Sequence, residues 1–298
     1  MSRFYDALKE ASRRQSPSGN GNGNGTIHLP VEVNGDAGMN AGTAAPLPVA
    51  IEPLPVETEP DHWPEPPRNG TGVHVHSALD RTARVIPHMA DTAVVEHYRR
   101  LRTKLLQEHE ARPFRVLMVG SPNPQEGKTV TAFNLALSFA MIPSCRVLIV
   151  DGDLRKGSLG KWLAVSGPPG LSDLVEGTAT VQDVILKSEE LPIHFVLRGN
   201  SKVPAGELLN SAALKDYFQQ MAEQFDVVIV DSPPLNLVTD AQLLANCCDA
   251  ILLVARAFST TRKAFEKTVQ DLQQFRIVGT VLNGGTRIPN YRRYNDYN

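Results

Sequence analysis

Cysteine is scarce: there are three in 298 residues, Cys145 and the adjacent Cys247 and Cys248. They make no obvious disulfide framework, and no CxxC or histidine spacing of the zinc-binding kind accompanies them, so a reducing cytoplasm is the expected setting. Long apolar runs are missing as well. No stretch approaches the length of a membrane span, and the opening MSRFYDALKEASRR lacks the apolar centre of a signal peptide. Membrane association is therefore expected only through a partner or a surface contact. Nor is there an excess of one charge: a formal net charge of -2 offers no basic field, and nucleic acid is not an expected partner.

What is present divides unevenly along the chain. Residues 1–14 place Phe4, Leu8 and Ala11 at helical spacing among Arg3, Lys9, Arg13 and Arg14, a short amphipathic helix. It is equally readable as a frayed end and as a docking peptide for a membrane partner. Residues 15–85 are rich in Gly, Asn and Pro (SPSGNGNGNG, APLPVAIEPLPVETEP) and poor in large apolar groups, so they are expected to form a disordered linker. His74 and His76 alternate there, but two histidines without a third ligand do not make a metal site. Residues 86–286 are long enough for one α/β domain, and residues 287–298 form a tail containing three tyrosines.

Inside that domain, DTAVVEHYRRLRTKLLQEHEA has Val94, Val95, Tyr98, Leu101, Leu105 and Leu106 near a helical period. Beyond it, strand-sized apolar runs alternate with helical patterns, at 114–120, 146–150, 194–197, 226–230, 250–255 and 277–283. Their apolar residues are consecutive rather than alternating, as in strands covered on both faces. The expected architecture is α/β, a mostly parallel sheet with helices on both faces.

SPNPQEGKT (121–129) follows the first of these strands and precedes the helical TAFNLALSFA, the strand–loop–helix setting a phosphate-binding loop needs. A GKT occurs by chance; its placement here makes it informative. Amides of Gln125, Glu126, Gly127, Lys128, Thr129 and Val130 are expected to face phosphates at the helix start. Lys128 would hold the outer phosphates of ATP, and the Thr129 hydroxyl would ligate Mg²⁺. Pro122 stands where the first glycine of the usual motif would be. Asp151 and Asp153 end the second run and Asp231 ends the fourth, at the sheet edge where open α/β proteins gather ligands. Aspartates often cap turns, but three behind apolar strands argue for a hard cation, Mg²⁺, among them.

A P-loop, then hhhDxD, then hhhhD followed by SPP resembles the bacterial tyrosine kinases, autokinases associated with exopolysaccharide and capsule loci. That family carries Walker A, A′ and B motifs on the fold of the partitioning ATPases. The likeness extends to E96-x-x-R99-x-x-R102, GLSDLVEG (170–177), PAGELLNS (204–211), SPPLNLVTDAQLL (232–244) and the opening MSRFYDALKEA. The resemblance implies a protein-tyrosine kinase using ATP and Mg²⁺. In it Lys128 stabilises the transferred phosphoryl group, Thr129, Asp153 and Asp231 organise the metal, and Asp151 accepts the tyrosine proton.

The resemblance further implies phosphoacceptors at Tyr291, Tyr294 and Tyr297, reached in trans within a homo-oligomer joined through Glu96, Arg99 and Arg102. A solvated helix face with local ion pairs is the plainer account of those three residues. Further implied partners are a transmembrane polysaccharide co-polymerase that recruits the chain to the inner face of the membrane, and a phosphotyrosine phosphatase. Asn283 would contact adenine, as in related ATPases, or be an ordinary turn residue.

Two other readings stand beside this one. A partitioning or cell-division ATPase of the same fold would carry a signature lysine at position 123, which is Asn123, whereas the kinases favour Pro-Gly-Glu-Gly-Lys against Pro124-Gln125-Glu126-Gly127-Lys128 here. A nucleotide-binding scaffold without tyrosine chemistry would tolerate Pro122 and Gln125.

Overall fold

In a computed structural model the described residues are 72–73 and 93–285, apart from 164, 166, 189, 190 and 238. The expected N-terminal helix, nearly all of the expected linker with His74 and His76, and the tyrosine tail lie outside them. The elements in chain order are β1 (Gly72–Val73), α1 (Ala93–Ala111), β2 (Val116–Gly120), α2 (Lys128–Ala140), β3 (Val147–Asp151), α3 (Ser158–Trp162), α4 (Leu171–Glu176), α5 (Val181–Val184) and β4 (Leu186–Ser188). They continue with β5 (His194–Val196), α6 (Ala205–Leu209), α7 (Ala213–Gln224), β6 (Val227–Asp231), α8 (Asp240–Ala245), β7 (Ala250–Arg256), α9 (Arg262–Asp271) and β8 (Ile277–Asn283).

The strands form one sheet in the order β1-β4-β5-β3-β6-β2-β7-β8, parallel throughout except for the β4–β5 pair. All six apolar runs became strands. Two strands come in addition. β4 is three residues with Lys187 exposed between buried neighbours, too short to announce itself by pattern. β1 lies within the segment expected to be linker, and Gly72 and Val73 pair with Lys187 and Ser188; backbone pairing of this kind needs no apolar core.

Burial on both faces accounts for the unbroken apolar runs. Along β2, Leu117 and Val119 enter one core with Phe133 of α2 and Leu101 and Leu105 of α1, while Val116 and Met118 enter a second core with Phe218 and Met221 of α7. β3 and β6 split the same way: Ile149 and Ile229 go to the first core, Leu148, Val150, Val228 and Val230 to the second. α2 is pressed between α1 and the sheet, which is why it is apolar nearly all round.

Register fixes the functional edge. Asp151, the last residue of β3, pairs with Asp231, the last residue of β6, and Asp231 in turn pairs with Val119, one residue before the end of β2. Two carboxylates and the start of the phosphate loop are thus brought to one place by main-chain hydrogen bonding.

Two stability measurements check this packing. Phe133 is fully buried and stacks on Phe195 with ring centroids 6.2 Å apart, so Phe133→Ala should cost about 3–5 kcal/mol in urea unfolding. His194 sits edge-on to Phe225, and burial, then the nearby Lys187, pushes its pKa down to about 4. Its folded-state value lies below its unfolded one, so the folded chain binds fewer protons and stability falls as pH drops from 6.5 toward about 4. A His194→Phe variant should lose part of that acid sensitivity, seen as a flatter melting temperature between pH 7 and pH 4.5.

Candidate nucleotide and phosphoryl-transfer site

The loop between β2 and α2 is held in a conformation that its sequence resists. Gln125 has φ +61 and Gly127 φ +99, both in the left-handed region. Glycine adopts that region freely; a side chain there costs about 1–2 kcal/mol. At Gly127 a β-carbon would also lie 1.9 Å from Nδ2 of Asn283, so a side chain there is strained and must displace Asn283 as well.

Glu126 is buried, 1% exposed, and faces inward instead of toward a ligand. Its Oε2 accepts from the Asn123 amide at 2.9 Å, and its Oε1 accepts from Asn123 Nδ2 at 2.9 Å and from the Thr260 hydroxyl at 2.6 Å. Asn123, where a partitioning ATPase would place its lysine, is therefore occupied in shaping the loop. Asn283 also reaches the loop, from β8: its Nδ2 donates to the Glu126 carbonyl at 2.9 Å. Arg256 donates to the Gln125 carbonyl at 2.8 Å. From sequence, Asn123 stands only where a partitioning ATPase would carry its lysine, and Arg256 and Thr260 carry no motif; the one signal for them is the doubled threonine at 260 and 261, one more than the cap of α9 requires.

Past Gly127 the chain turns directly into α2, whose first amides at Lys128, Thr129 and Val130 are those a helix leaves open to an anion. Thr129 Oγ1 donates to Asp231 Oδ2 at 2.6 Å, which leaves its lone pairs for a cation. Lys128 Nζ stands 3.7 Å from Asp231 Oδ1 and 3.4 Å from Thr129 Oγ1. Lysine, threonine and the β6 aspartate therefore meet as the motif spacing predicts.

The β3 aspartates complete the edge. Asp151 is fully buried; its Oδ1 accepts from the Asp153 amide at 3.3 Å and its Oδ2 from the Leu159 amide at 3.0 Å, so it shapes the turn into α3. Burial, then the neighbouring Asp231, pushes its pKa up to about 7, a value suited to taking up a proton near neutrality. Asp153 is 2% exposed and accepts from the Lys156 amide at 3.1 Å. Asp231 is also shifted upward by burial, opposed by Lys128 and the Thr129 hydroxyl. Gly152 lets β3 close on β6: a β-carbon there would stand 2.5 Å from Leu244 Cδ2 and 3.0 Å from the Asp231 carbonyl.

Among the described residues no three His, Cys, Asp or Glu side chains converge into a protein-only metal cage. That suits Mg²⁺, which keeps much of its shell as water and phosphate oxygen and takes one or two carboxylates from the protein. The fit rests on the donors themselves: a threonine hydroxyl and buried carboxylates, with Asp231 Oδ1 lacking a hydrogen-bond partner.

Glu96 in α1 pairs within its own helix, with Arg100 at 3.2 Å and Arg99 at 3.9 Å. Arg102 donates to the Ser138 carbonyl of α2. The first two keep side chains partly open to solvent; the third is a tie between α1 and the P-loop helix. Tyr291, Tyr294 and Tyr297 fall outside the described residues.

The loop geometry yields a paired expectation. Gln125→Gly should raise stability by up to about 1 kcal/mol by relieving the left-handed φ, whereas Gly127→Ala should lower it by about 2 kcal/mol. Both are read from denaturant midpoints without nucleotide.

A model of the AAA domain family matches residues 125–277, from the phosphate loop to the start of β8. Tyrosine-protein kinase ptk of Acinetobacter johnsonii is 33% identical over 195 residues, 65% of this chain and 26% of that longer protein. Tyrosine-protein kinase YwqD of Bacillus subtilis is 30% identical over 191 residues, 63% of this chain and 80% of the relative. The kinase domain of Escherichia coli tyrosine kinase ETK superposes with a TM-score of 0.63 at 30% identity, covering 70% of this chain and 80% of that one. With 30% identity to kinases covered over 80% of their own length, the chain belongs to the bacterial tyrosine-protein kinases.

Proposed function

We propose that this chain is an ATP-dependent protein-tyrosine autokinase, that it phosphorylates Tyr291, Tyr294 or Tyr297 of a neighbouring copy, and that this regulates exopolysaccharide or capsule polymerisation and export. The observation that carries the chemistry is the junction of Thr129 and Lys128 with Asp231, at 2.6 and 3.7 Å, beside the buried Asp151. The α2 amides and Lys128 receive the phosphates of ATP, and their fixed positive field favours the charge that spreads over the phosphoryl oxygens during transfer. Thr129, Asp153 and Asp231 would hold Mg²⁺, which supplies neutralising charge to the phosphates. Asp151 takes the proton of the attacking tyrosine hydroxyl.

The setting supports reading this site as a kinase and not as a partitioning switch: position 123 carries an asparagine bound to Glu126. Among the described residues no helix is long and apolar enough to cross a membrane. The reading therefore assigns recruitment to the inner face of the cell membrane to a transmembrane co-polymerase partner, with a phosphotyrosine phosphatase resetting the tail. Phosphate adds about 1.5–2 negative charges per tyrosine, enough to oppose assembly through carboxylate-bearing surfaces.

Two experiments test this. Purified chain incubated with ATP and Mg²⁺, with and without the cytoplasmic segment of its membrane partner, should acquire phosphate on the tail tyrosines by mass spectrometry, and Lys128→Met should acquire none. ATP turnover without phosphotyrosine would point to the switch, and tight binding without either to a scaffold. For assembly, a Glu96→Ala, Arg99→Ala double variant should sediment as smaller species and lose trans-phosphorylation while melting within a few degrees of the parent. Unchanged sedimentation would leave the α1 pairs as local helix contacts.

A further inference from the structure

We propose that Thr260, in the turn between β7 and α9, is a positioning residue for nucleotide binding that acts through Glu126; this rests on the reading of the 121–129 loop as the nucleotide site. Glu126 is a carboxylate at 1% exposure in the middle of that loop. A buried charge of this kind is tolerated only when its oxygens are hydrogen-bonded. Two of its three bonds come from Asn123 within the loop, and the third, at 2.6 Å, comes from Thr260, 134 residues away in sequence.

The direction of that third bond is set by the turn. A hydroxyl has one proton and two lone pairs. Thr260 Oγ1 accepts the Arg256 amide at 2.7 Å, so its proton is directed to Glu126. The Thr260 amide donates back to the Arg256 carbonyl at 2.9 Å, and the Ala257 amide to the Asn283 carbonyl at 2.8 Å, which close the turn on the end of β8. The same turn reaches the loop a second time, through Arg256 Nη1 on the Gln125 carbonyl at 2.8 Å. Gln125 is the residue held at φ +61. A strained backbone persists only where its surroundings over-determine it, and here the surroundings are Arg256, Thr260 and Asn283. Releasing the Thr260 hydroxyl leaves Glu126 short of a donor and loosens the residues just before Lys128.

Support of α9 is separable, because the adjacent threonine has it, and the acceptor role of Thr260 toward the Arg256 amide is kept by serine. Thr261 is the N-cap of α9, its side chain accepting from the Ala264 amide at 3.2 Å. Thr260 adds nothing to that cap.

The test is ADP affinity in Mg²⁺ by titration calorimetry, with thermal midpoints, on the full chain and on Thr260→Val, Thr260→Ser, Thr261→Ala and Lys128→Met. Thr260→Val should weaken ADP about 10-fold, the scale of one hydrogen bond to a charged group, and Thr260→Ser should return to within about 3-fold of the parent. Thr261→Ala should lower the midpoint and leave affinity unchanged. Parent-like affinity in Thr260→Val, or a serine variant as weak as the valine one, overturns the proposal. If Thr260→Val does not fold, Glu126→Gln carries the test, weakened affinity supporting the proposal and parent-like affinity overturning it. Lys128→Met tells the two readings apart. Loss of ADP binding there keeps the nucleotide site whatever Thr260 does, while parent-like binding removes the nucleotide reading and this inference with it.

Discussion

Buried carboxylates crowd together where β3 and β6 end, and the rest of the site is organised around that crowding. Asp151 and Asp231 are paired in register and wholly buried, with Asp153 at 2% exposure two residues on. Burial and mutual repulsion favour their protonated forms, and Lys128 and the Thr129 hydroxyl oppose this at Asp231. A carboxyl whose folded-state pKa is raised binds more protons folded than unfolded, so Asp151 makes the chain less stable as pH climbs from 3.8 to about 7 and holds that deficit above it. A fold that keeps such groups gives up stability, and in the proposed function what it gains is a preformed place for a cation and phosphates.

The strand order serves the same end. β6 lies between β3 and β2, so the strand bearing Asp231 is flanked by the one bearing Asp151 and the one that feeds the P-loop. Gly152 allows the backbones to close there, and the Gly152 amide donates to the Asp231 carbonyl at 2.8 Å. On the other side, β7 and β8 end next to the P-loop and supply Arg256, Thr260 and Asn283 to hold it. Glutamine at position 125 is accommodated by these ties at the cost of a left-handed backbone.

Much of this was legible in the sequence, for stated physical reasons. Strands buried on both faces read as unbroken apolar runs, so six of the eight strands among the described residues were visible, and the motif residues Lys128, Thr129 and Asp231 met as their positions in strand–loop–helix order implied. Other features had no local signal. Whether Asp151 lies opposite Asp231 is a matter of register, which no run of valines specifies. For Glu126 only the backbone amide was legible, as one facing phosphate; that Thr260 and Asn123 hold its carboxylate inward depends on a long-range bond that single-sequence patterning does not contain. The bond from Asn283 to the Glu126 carbonyl is equally long-range. The tie from Arg102 to the Ser138 carbonyl is another long-range contact without a local signal.

The central claim is that these side chains form an incomplete cation site which phosphates finish. The most direct measurement is Mn²⁺ binding to the full chain, followed by the electron paramagnetic resonance of the free ion, with and without ADP. The account predicts one tightly held ion per chain with ADP, little binding without it, and loss of that ion in Asp231→Asn. Equal Mn²⁺ binding in the absence of nucleotide, or none in its presence, would contradict it.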